Sequence, residues 1–508
     1  MISSIVPSDK SSSTEIAKSV SSAAPVHIEN LEHTSIVLAQ PTETQLADDT
    51  TQEIKTSHLH YLVPASSPNE LVCAVVASAL VNRYPVPYII GWKGEGKYNA
   101  SAAHFAKLYT IKRYLDTLPN GGKDDDLIVF GDGHDVVAQL PVEVMIERYF
   151  EVTAEADRRL ADRFGITVEE AHARGLRQTL FWGADKMCWP PLYDEAQCSR
   201  IPSSHLPQNM FGPKSGNKDY TYREAKYLNS GSVIGPVGDL RKFVNAGITE
   251  METTFDEDFK YKNSDQVYLQ RIWGRQELSR SEQVKFEAKR ASNKKRSETS
   301  DMSRKQDDEE SSAVEFHLAI DYESSFVQTG CYSHKWMRQL QYNNDDHSAT
   351  MKEDVIQHGA NFKPYRIQMP ANVYKALHRV FDSLGADQPS TSAHAWIAGL
   401  KLDTNIVTKT IFGFYHATCS KKALIKDFKT YWFHPIIEKL LKASARTINQ
   451  DEPITERIID GRRWVYQTSY PSNERTVSEL GGVFTDFEGQ TFISYDELCG
   501  EHLNILRL

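Results

Sequence analysis

The feature that most constrains this chain is a series of short apolar segments, alternating with helical patterns, that ends on two acids. His58–Ala65 (HLHYLVPA) reads as a strand. Asn69 and Glu70 give a helix-start signal ahead of the apolar run Leu71–Val81. Val86–Gly91 reads as a second strand, followed by a loop from Trp92 to Tyr98 that contains Gly94 and Gly96. A helical pattern runs from about Ala102 to Leu118 and stops at Pro119-Asn120-Gly121-Gly122. Asp126–Asp132 (DLIVFGD) is a short continuous apolar run, as in a strand buried on both faces. Strand, helix, strand, helix, strand within residues 58–132 predicts an α/β sheet of the nucleotide-binding type.

The alternation continues downstream. Leu180–Gly183 and Ser232–Gly235 read as strands, and Val142–Phe164 and Asp265–Trp273 as helices. Order resumes at Val314–Val327, and Thr410–Tyr415 is the last strong apolar run. One domain over 58–448 is expected, with polar insertions near 275–312 and 342–353 that read as solvated loops. Residues 1–57 are rich in Ser, Thr, Ala and acids. Such a segment buries too little apolar surface to offset its ordering entropy, so a disordered tail is expected. Residues 449–508 carry Trp464, Tyr466, Tyr470 and Phe484 without a motif and read as a C-terminal extension or cap.

Composition removes some classes of function. A net charge of −10 disfavours nucleic-acid partners, which call for a basic footprint. Leu71–Val81 is far shorter than the roughly 20 residues that cross a bilayer, so no transmembrane span or membrane anchor is expected. The opening MISSIVPSDKSSSTE lacks a basic segment followed by an apolar one, so no signal peptide is read and the chain reads as cytoplasmic. Cys73, Cys188, Cys198, Cys331, Cys419 and Cys499 have no zinc-like spacing; they fit either a reducing compartment or a few disulfides. Asn99-Ala100-Ser101 is a glycosylation sequon that matters only in the secretory pathway.

Asp132 and Asp135 follow the buried strand, where ligands bind in open α/β sheets. Two carboxylates on one loop can converge on a hard divalent cation such as Mn²⁺ or Mg²⁺; they can equally cap the next helix. Four other segments are unusual. Trp182–Pro190 (WGADKMCWP) puts an aromatic, a cysteine, a tryptophan and a proline after a strand. Leu228-Asn229-Ser230-Gly231 forms a turn before a strand, where backbone can approach a ligand closely. Ser264-Asp265-Gln266 opens a helix, where Asp265 is either a cap or a group acting on a substrate hydroxyl. His416 follows a late strand, and a lone histidine is as readily structural as a ligand.

The order of these segments resembles the glycosyltransferase domain of the procollagen lysyl hydroxylase family. The matching residues are Lys107; Asp132, Asp135 and Val136; Ala184-Asp185 with Cys188-Trp189-Pro190; Leu228-Asn229-Ser230-Gly231; Asp265-Gln266; and His416 with Lys421. The resemblance spans residues 58 to about 425. It implies a GT-A fold, a Rossmann-like mixed and mainly parallel sheet flanked by helices, using Mn²⁺ (or Mg²⁺) with a UDP-sugar. It further implies that Asp132, Asp135 and His416 hold the metal, and that Lys107 and Lys421 meet the diphosphate. Val63, Pro64 and Ala65 would lie by the base and Trp92 over the donor. Trp189, Asn229, Asp265 and Gln266 would face the sugar and acceptor, with Asp265 the general base if the anomeric carbon inverts. The implied activity moves a hexose, galactose or glucose, to a hydroxyl of a protein or glycan. The alternative is a nucleotide-sugar-binding scaffold without catalysis. The chain departs from the family at Ser264, where a second acid is usual, at Asp185 in place of Glu, and after His416, where glycines are missing. The family works mostly in the ER and Golgi lumen.

Overall fold

The strand before the two acids forms as Leu127–Gly131, every residue of it buried. Leu127 and Val129 join one core cluster, and Ile128 and Phe130 another. The first strand, Lys55–Pro64, divides the same way: Leu59, Tyr61 and Val63 on one side, Leu62 on the other. Period-two alternation with both faces apolar therefore gives a sheet covered on both sides. Helices Glu70–Val81 and Val142–Phe164 line the first cluster; Ala106–Thr117 and Val237–Thr254 line the second. The run that was too short for a membrane is the buried helix Glu70–Val81, started by Asn69, whose side chain accepts from the Val72 amide at 3.0 Å. This computed structural model describes residues 54–99, 104–118, 122–216, 218–297, 315–471, 479–488 and 491–507. The tail expected over 1–57 lies outside the described residues except for 54–57, of which Lys55–Ser57 begin the first strand.

The main sheet runs Phe492–Ser494, Gly482–Thr485, Tyr88–Ile90, Lys55–Pro64, Leu127–Gly131, Tyr227–Pro236, Leu180–Asp185, Leu318–Ile320. Arg462–Val465 pairs in parallel with the first half of Lys55–Pro64. Tyr227–Pro236 and Phe492–Ser494 run antiparallel to their neighbours, and the remaining pairings are parallel. The sheet is thus mixed and mainly parallel, flanked by helices. Among the described residues, no helix is long and apolar enough to cross a membrane.

Three expectations change. The charged stretch from 275 continues the helix Asp265–Ser297 instead of forming a loop; residues 298–314 lie outside the described residues. The reason is edge protection. The Gln276 side chain donates to the Leu318 carbonyl at 3.1 Å and accepts from the Phe316 amide at 2.9 Å. Arg280 is fully buried between Glu277 (2.7 Å) and Glu315 (2.6 Å). These polar residues complete an edge strand, so their polarity does not mark them as solvated. The second polar segment contains the strand Ser348–Met351, paired with Tyr365–Gln368. Residues 449–508 supply three strands of the main sheet, and Cys499 is bonded to Cys73 of the central helix. They are integral to the fold.

Asp486, from that C-terminal part, fixes the loop after Tyr88–Ile90. Its carboxylate accepts from the amides of Gly91 (2.8 Å) and Trp92 (3.1 Å) and pairs with Arg113. Asp486→Ala leaves two amides without their acceptor, which costs about 2 kcal/mol. Hydrogen exchange at Gly91 and Trp92 should accelerate roughly thirtyfold while amides of Leu127–Gly131 keep their protection. Unchanged exchange at both amides would contradict this role.

Candidate metal centre

Register brings the two acids to the histidine. A small sheet pairs Val136–Ala138 antiparallel with Phe414–His416, and His416 stands opposite Val136. The residue before Val136 is Asp135, and the Ala417 amide donates to the Asp135 carbonyl at 2.8 Å. Asp132 leaves the end of the main sheet beside Gly231, to whose carbonyl its amide donates at 2.8 Å. Asp132, Asp135 and His416 each offer a ligand atom, and these atoms lie within 4.8 Å of one another. Asp135 Oδ2 is 3.4 Å from His416 Nε2.

Asp135 Oδ1 and His416 Nδ1 are buried and without a hydrogen-bond partner. Gly231 leaves the facing wall open: a Cβ there would stand 2.8 Å from His416 Nε2 and 2.9 Å from Asp132 Oδ2. Two carboxylates and an imidazole converging beside this gap fit a divalent cation such as Mn²⁺.

The charges are coupled. Burial raises the Asp132 carboxyl, only partly offset by the Lys107 ammonium, and Asp135 raises it further. Burial would also raise Asp135, yet His416 and Lys421 hold it well below the ordinary carboxylate range. Burial alone would lower His416; the charge of Asp135, its hydrogen bond, and Asp132 and Asp185 raise it instead. A raised imidazole contributes stability below its unfolded value, about 6.5, and loses it as pH rises through the folded value. The metal-ligating form is the neutral one, so metal must displace the His416 proton. Mn²⁺ affinity should therefore rise steadily between about pH 6 and pH 8. Titration calorimetry checks it, and an affinity that stays flat or falls over that range would contradict the assignment.

The other expected residues surround this centre with altered roles. Lys107 is buried, its Nζ 3.0 Å from Asp132 and 2.7 Å from Asp265, and it donates to the Ser230 carbonyl at 3.2 Å. It orients Asp132. Asp265 is buried on that ammonium; in this arrangement it holds Lys107 and is not a free base. Lys421 is half exposed at the start of helix Lys421–Phe428, 2.9 Å from Asp135, and is open to an anion. Asn229 donates to Asp185 at 3.0 Å and accepts from the Gly231 amide at 2.9 Å. Gln266 accepts from the Ser230 amide at 3.1 Å and donates to the Trp189 carbonyl at 2.7 Å. Both amides thus shape the backbone around Gly231. Asn229-Ser230-Gly231 is also not a turn but part of strand Tyr227–Pro236, where the pairing with Leu180–Asp185 shifts register. Trp189 is exposed at 47%. Val63 and Pro64 pack against Gly133, whose Cβ would be 3.0 Å from Val63 Cγ1; Ala65 donates to the Ile90 carbonyl at 3.1 Å. Trp92 is 5% exposed in the main core, so its ring offers no face to a donor.

Asp185 had entered only as part of a motif. It ends strand Leu180–Asp185 next to Asn229, and burial pushes its carboxyl up to about 6. Its signal is positional: an acid closing a buried strand one strand away from Asn229. Spacing could not pair the cysteines. They form Cys73–Cys499, Cys188–Cys198 and Cys331–Cys419, the last closing the turn between His416 and Lys421. No protein-family model matches the chain, and no curated protein matches it.

Proposed function

We propose that this protein is a metal-dependent glycosyltransferase of the GT-A type, moving a hexose from a UDP-sugar to a hydroxyl acceptor. The observation that carries this reading is the meeting of Asp132, Asp135 and His416 at one point beyond the end of a central strand of a mixed α/β sheet, with half-exposed Lys421 beside it. A divalent cation held there would offset negative charge on a diphosphate leaving group. The chain's own residues do the rest. Lys107 fixes Asp132, Lys421 supplies a cation for the departing phosphate, and Gln266 ties the Ser230 backbone to the Trp189 loop. Gly231 keeps the wall thin enough for a ligand to approach.

The test is a melting assay followed by a turnover assay. Mn²⁺ with UDP should stabilise the wild type, by about 2.7 kcal/mol at a hundredfold excess over Kd, and should fail to stabilise Asp132→Ala. Release of UDP from a panel of UDP-sugars then separates a transferase from a non-catalytic scaffold. Absence of any shift with UDP plus metal sinks the proposal.

A further inference from the structure

The disulfide Cys331–Cys419 lies where the sheet support of the metal centre ends. Phe414–His416 and Val327–Thr329 run in parallel, and their last pair is His416 with Thr329. Both chains then leave the sheet, and the bridge joins them just beyond that pair. His416 itself is held from two sides, by Val136 and by Thr329. Lys421 lies past the sheet. It is reached through the turn Ala417-Thr418-Cys419-Ser420, closed by the Ser420 amide donating to the Ala417 carbonyl at 3.2 Å.

That turn holds an unfavourable conformation for its sequence. Its third residue, Cys419, has φ +66°. A turn with positive φ there calls for glycine, which lacks the Cβ that resists it. The Ala417 amide donates to the Asp135 carbonyl at 2.8 Å, the Cys331 amide donates to the Thr418 hydroxyl at 2.9 Å, and the bridge fixes Cys419 itself. Past Cys419 the chain enters helix Lys421–Phe428, whose first residue reaches Asp135 at 2.9 Å. The conformation of Cys419 therefore sets where Lys421 stands.

Access separates this bridge from the other two. Cys73 and Cys499 are fully buried, and Cys188 and Cys198 are only 1% and 8% exposed. Cys419 is exposed and Cys331 half-buried. Thiol–disulfide exchange requires a thiolate to reach a sulfur, so a small dithiol meets Cys331–Cys419 first. We propose that Cys331–Cys419 is a redox switch on the site, positioning Lys421 for a diphosphate when closed and releasing it when opened by a dithiol. The dithiol's thiolate attacks Cys419 Sγ, and the electron pair of the S–S bond leaves on Cys331 Sγ, which takes up a proton. The second sulfur of the dithiol then closes the reagent's own disulfide and frees Cys419 as a thiol, so the electrons and protons of the dithiol pass to the protein. The freed turn relaxes to negative φ at Cys419, and Lys421 leaves Asp135. The metal ligands keep their strand pairing, so the cation stays and the anion is lost. This rests on the transferase reading for the identity of that anion.

Calorimetry on the full chain with Mn²⁺ and UDP, beside hydrogen exchange, tests it. Cys331→Ser/Cys419→Ser imitates the open state without a reductant. It should bind UDP about tenfold more weakly than the wild type, the scale of a lost supporting group at a metal site, and bind Mn²⁺ alone as the wild type does. Its Ser420 amide should exchange faster. Cys331→Ser/Cys419→Gly, with a residue at ease at positive φ, should recover both UDP affinity and amide protection, which a bridge acting only on overall stability would not allow. If the serine variant does not fold, wild type opened with dithiothreitol and mapped by thiol alkylation takes its place. Unchanged UDP affinity and Ser420 exchange on opening, a glycine variant no better than the serine variant, or dithiothreitol opening a buried bridge first each overturns the switch. Faster Ser420 exchange that glycine reverses, in a chain whose wild type binds no UDP with metal, supports the switch on Lys421 and sinks the donor-site reading alone.

Discussion

Lys107→Met should lower the stability of the metal-free protein by about 3–5 kcal/mol, the usual cost of breaking a buried ion pair from one side. Methionine keeps the length and apolar stem of the side chain, so packing changes little. The ammonium it removes touches Asp132 at 3.0 Å and Asp265 at 2.7 Å, and Asp265 is buried. Burial and Asp135 already raise Asp132, with Lys107 the main opposing charge. Without it, Asp132 takes up a proton more readily, and Asp265 stays buried and uncompensated. The loss should shrink as the solution is acidified, because protonation of Asp132, already favoured by its burial and by Asp135, relieves its uncompensated charge. Added Mn²⁺ should recover part of it by supplying positive charge to Asp132. Urea unfolding at neutral and mildly acid pH, with and without metal, measures all three effects. A loss under about 1 kcal/mol at neutral pH would mean the pairs are far more solvated than their burial indicates.

Gly231→Ala should abolish metal binding while leaving the fold standing. Gly231 sits in a strand, so alanine meets no backbone conformational penalty there. The obstacle is what its methyl would meet: His416 Nε2 at 2.8 Å, Asp132 Oδ2 at 2.9 Å, and His416 Cε1 closer still. His416 is buried and fixed by pairing with Val136 on one side and Thr329 on the other, so its ring must turn out of the ligating position. Overpacking of this kind costs about 1–3 kcal/mol of stability. Mn²⁺ affinity should fall at least a hundredfold, on the order of the larger losses seen when ligand orientation is disturbed. Gly183→Ala is the matched control. Its methyl meets the Ser232 hydroxyl at 2.8 Å, on the same pair of strands but not at a ligand, so metal affinity should hold. Tight Mn²⁺ binding by Gly231→Ala would place the ion elsewhere.

The centre was readable in the sequence to different depths. Leu127–Gly131 announced itself because a strand buried on both faces leaves only apolar residues, and the acids after it stood out for that reason. His416 could be tied to them only through the order of motifs, since its place depends on a three-residue strand, Phe414–His416, pairing far back along the chain with Val136–Ala138. The roles of Lys107, Asn229 and Gln266 were not legible, because a polar side chain that holds backbone or another side chain looks the same in sequence as one that holds substrate. Trp92 shows the converse: the family resemblance implies a place over the donor for it, yet Asp486, from almost four hundred residues later, ties down its loop and the ring is buried in the core. The helix beyond 275 was hidden by its own chemistry. Gln276 and Arg280 are polar because they complete a sheet edge, and composition alone assigns such residues to solvent.

Pulsed electron paramagnetic resonance of Mn²⁺ bound to the full chain tests the central claim most directly. One Mn²⁺ per chain should show nitrogen coupling from an imidazole, lost in His416→Gln, and should gain phosphorus coupling when UDP is added. Mn²⁺ bound without nitrogen coupling, or with coupling that survives His416→Gln, would contradict a centre built from Asp132, Asp135 and His416. Nitrogen coupling with no phosphorus coupling on addition of UDP would leave the metal centre standing and remove its assignment to a nucleotide-sugar.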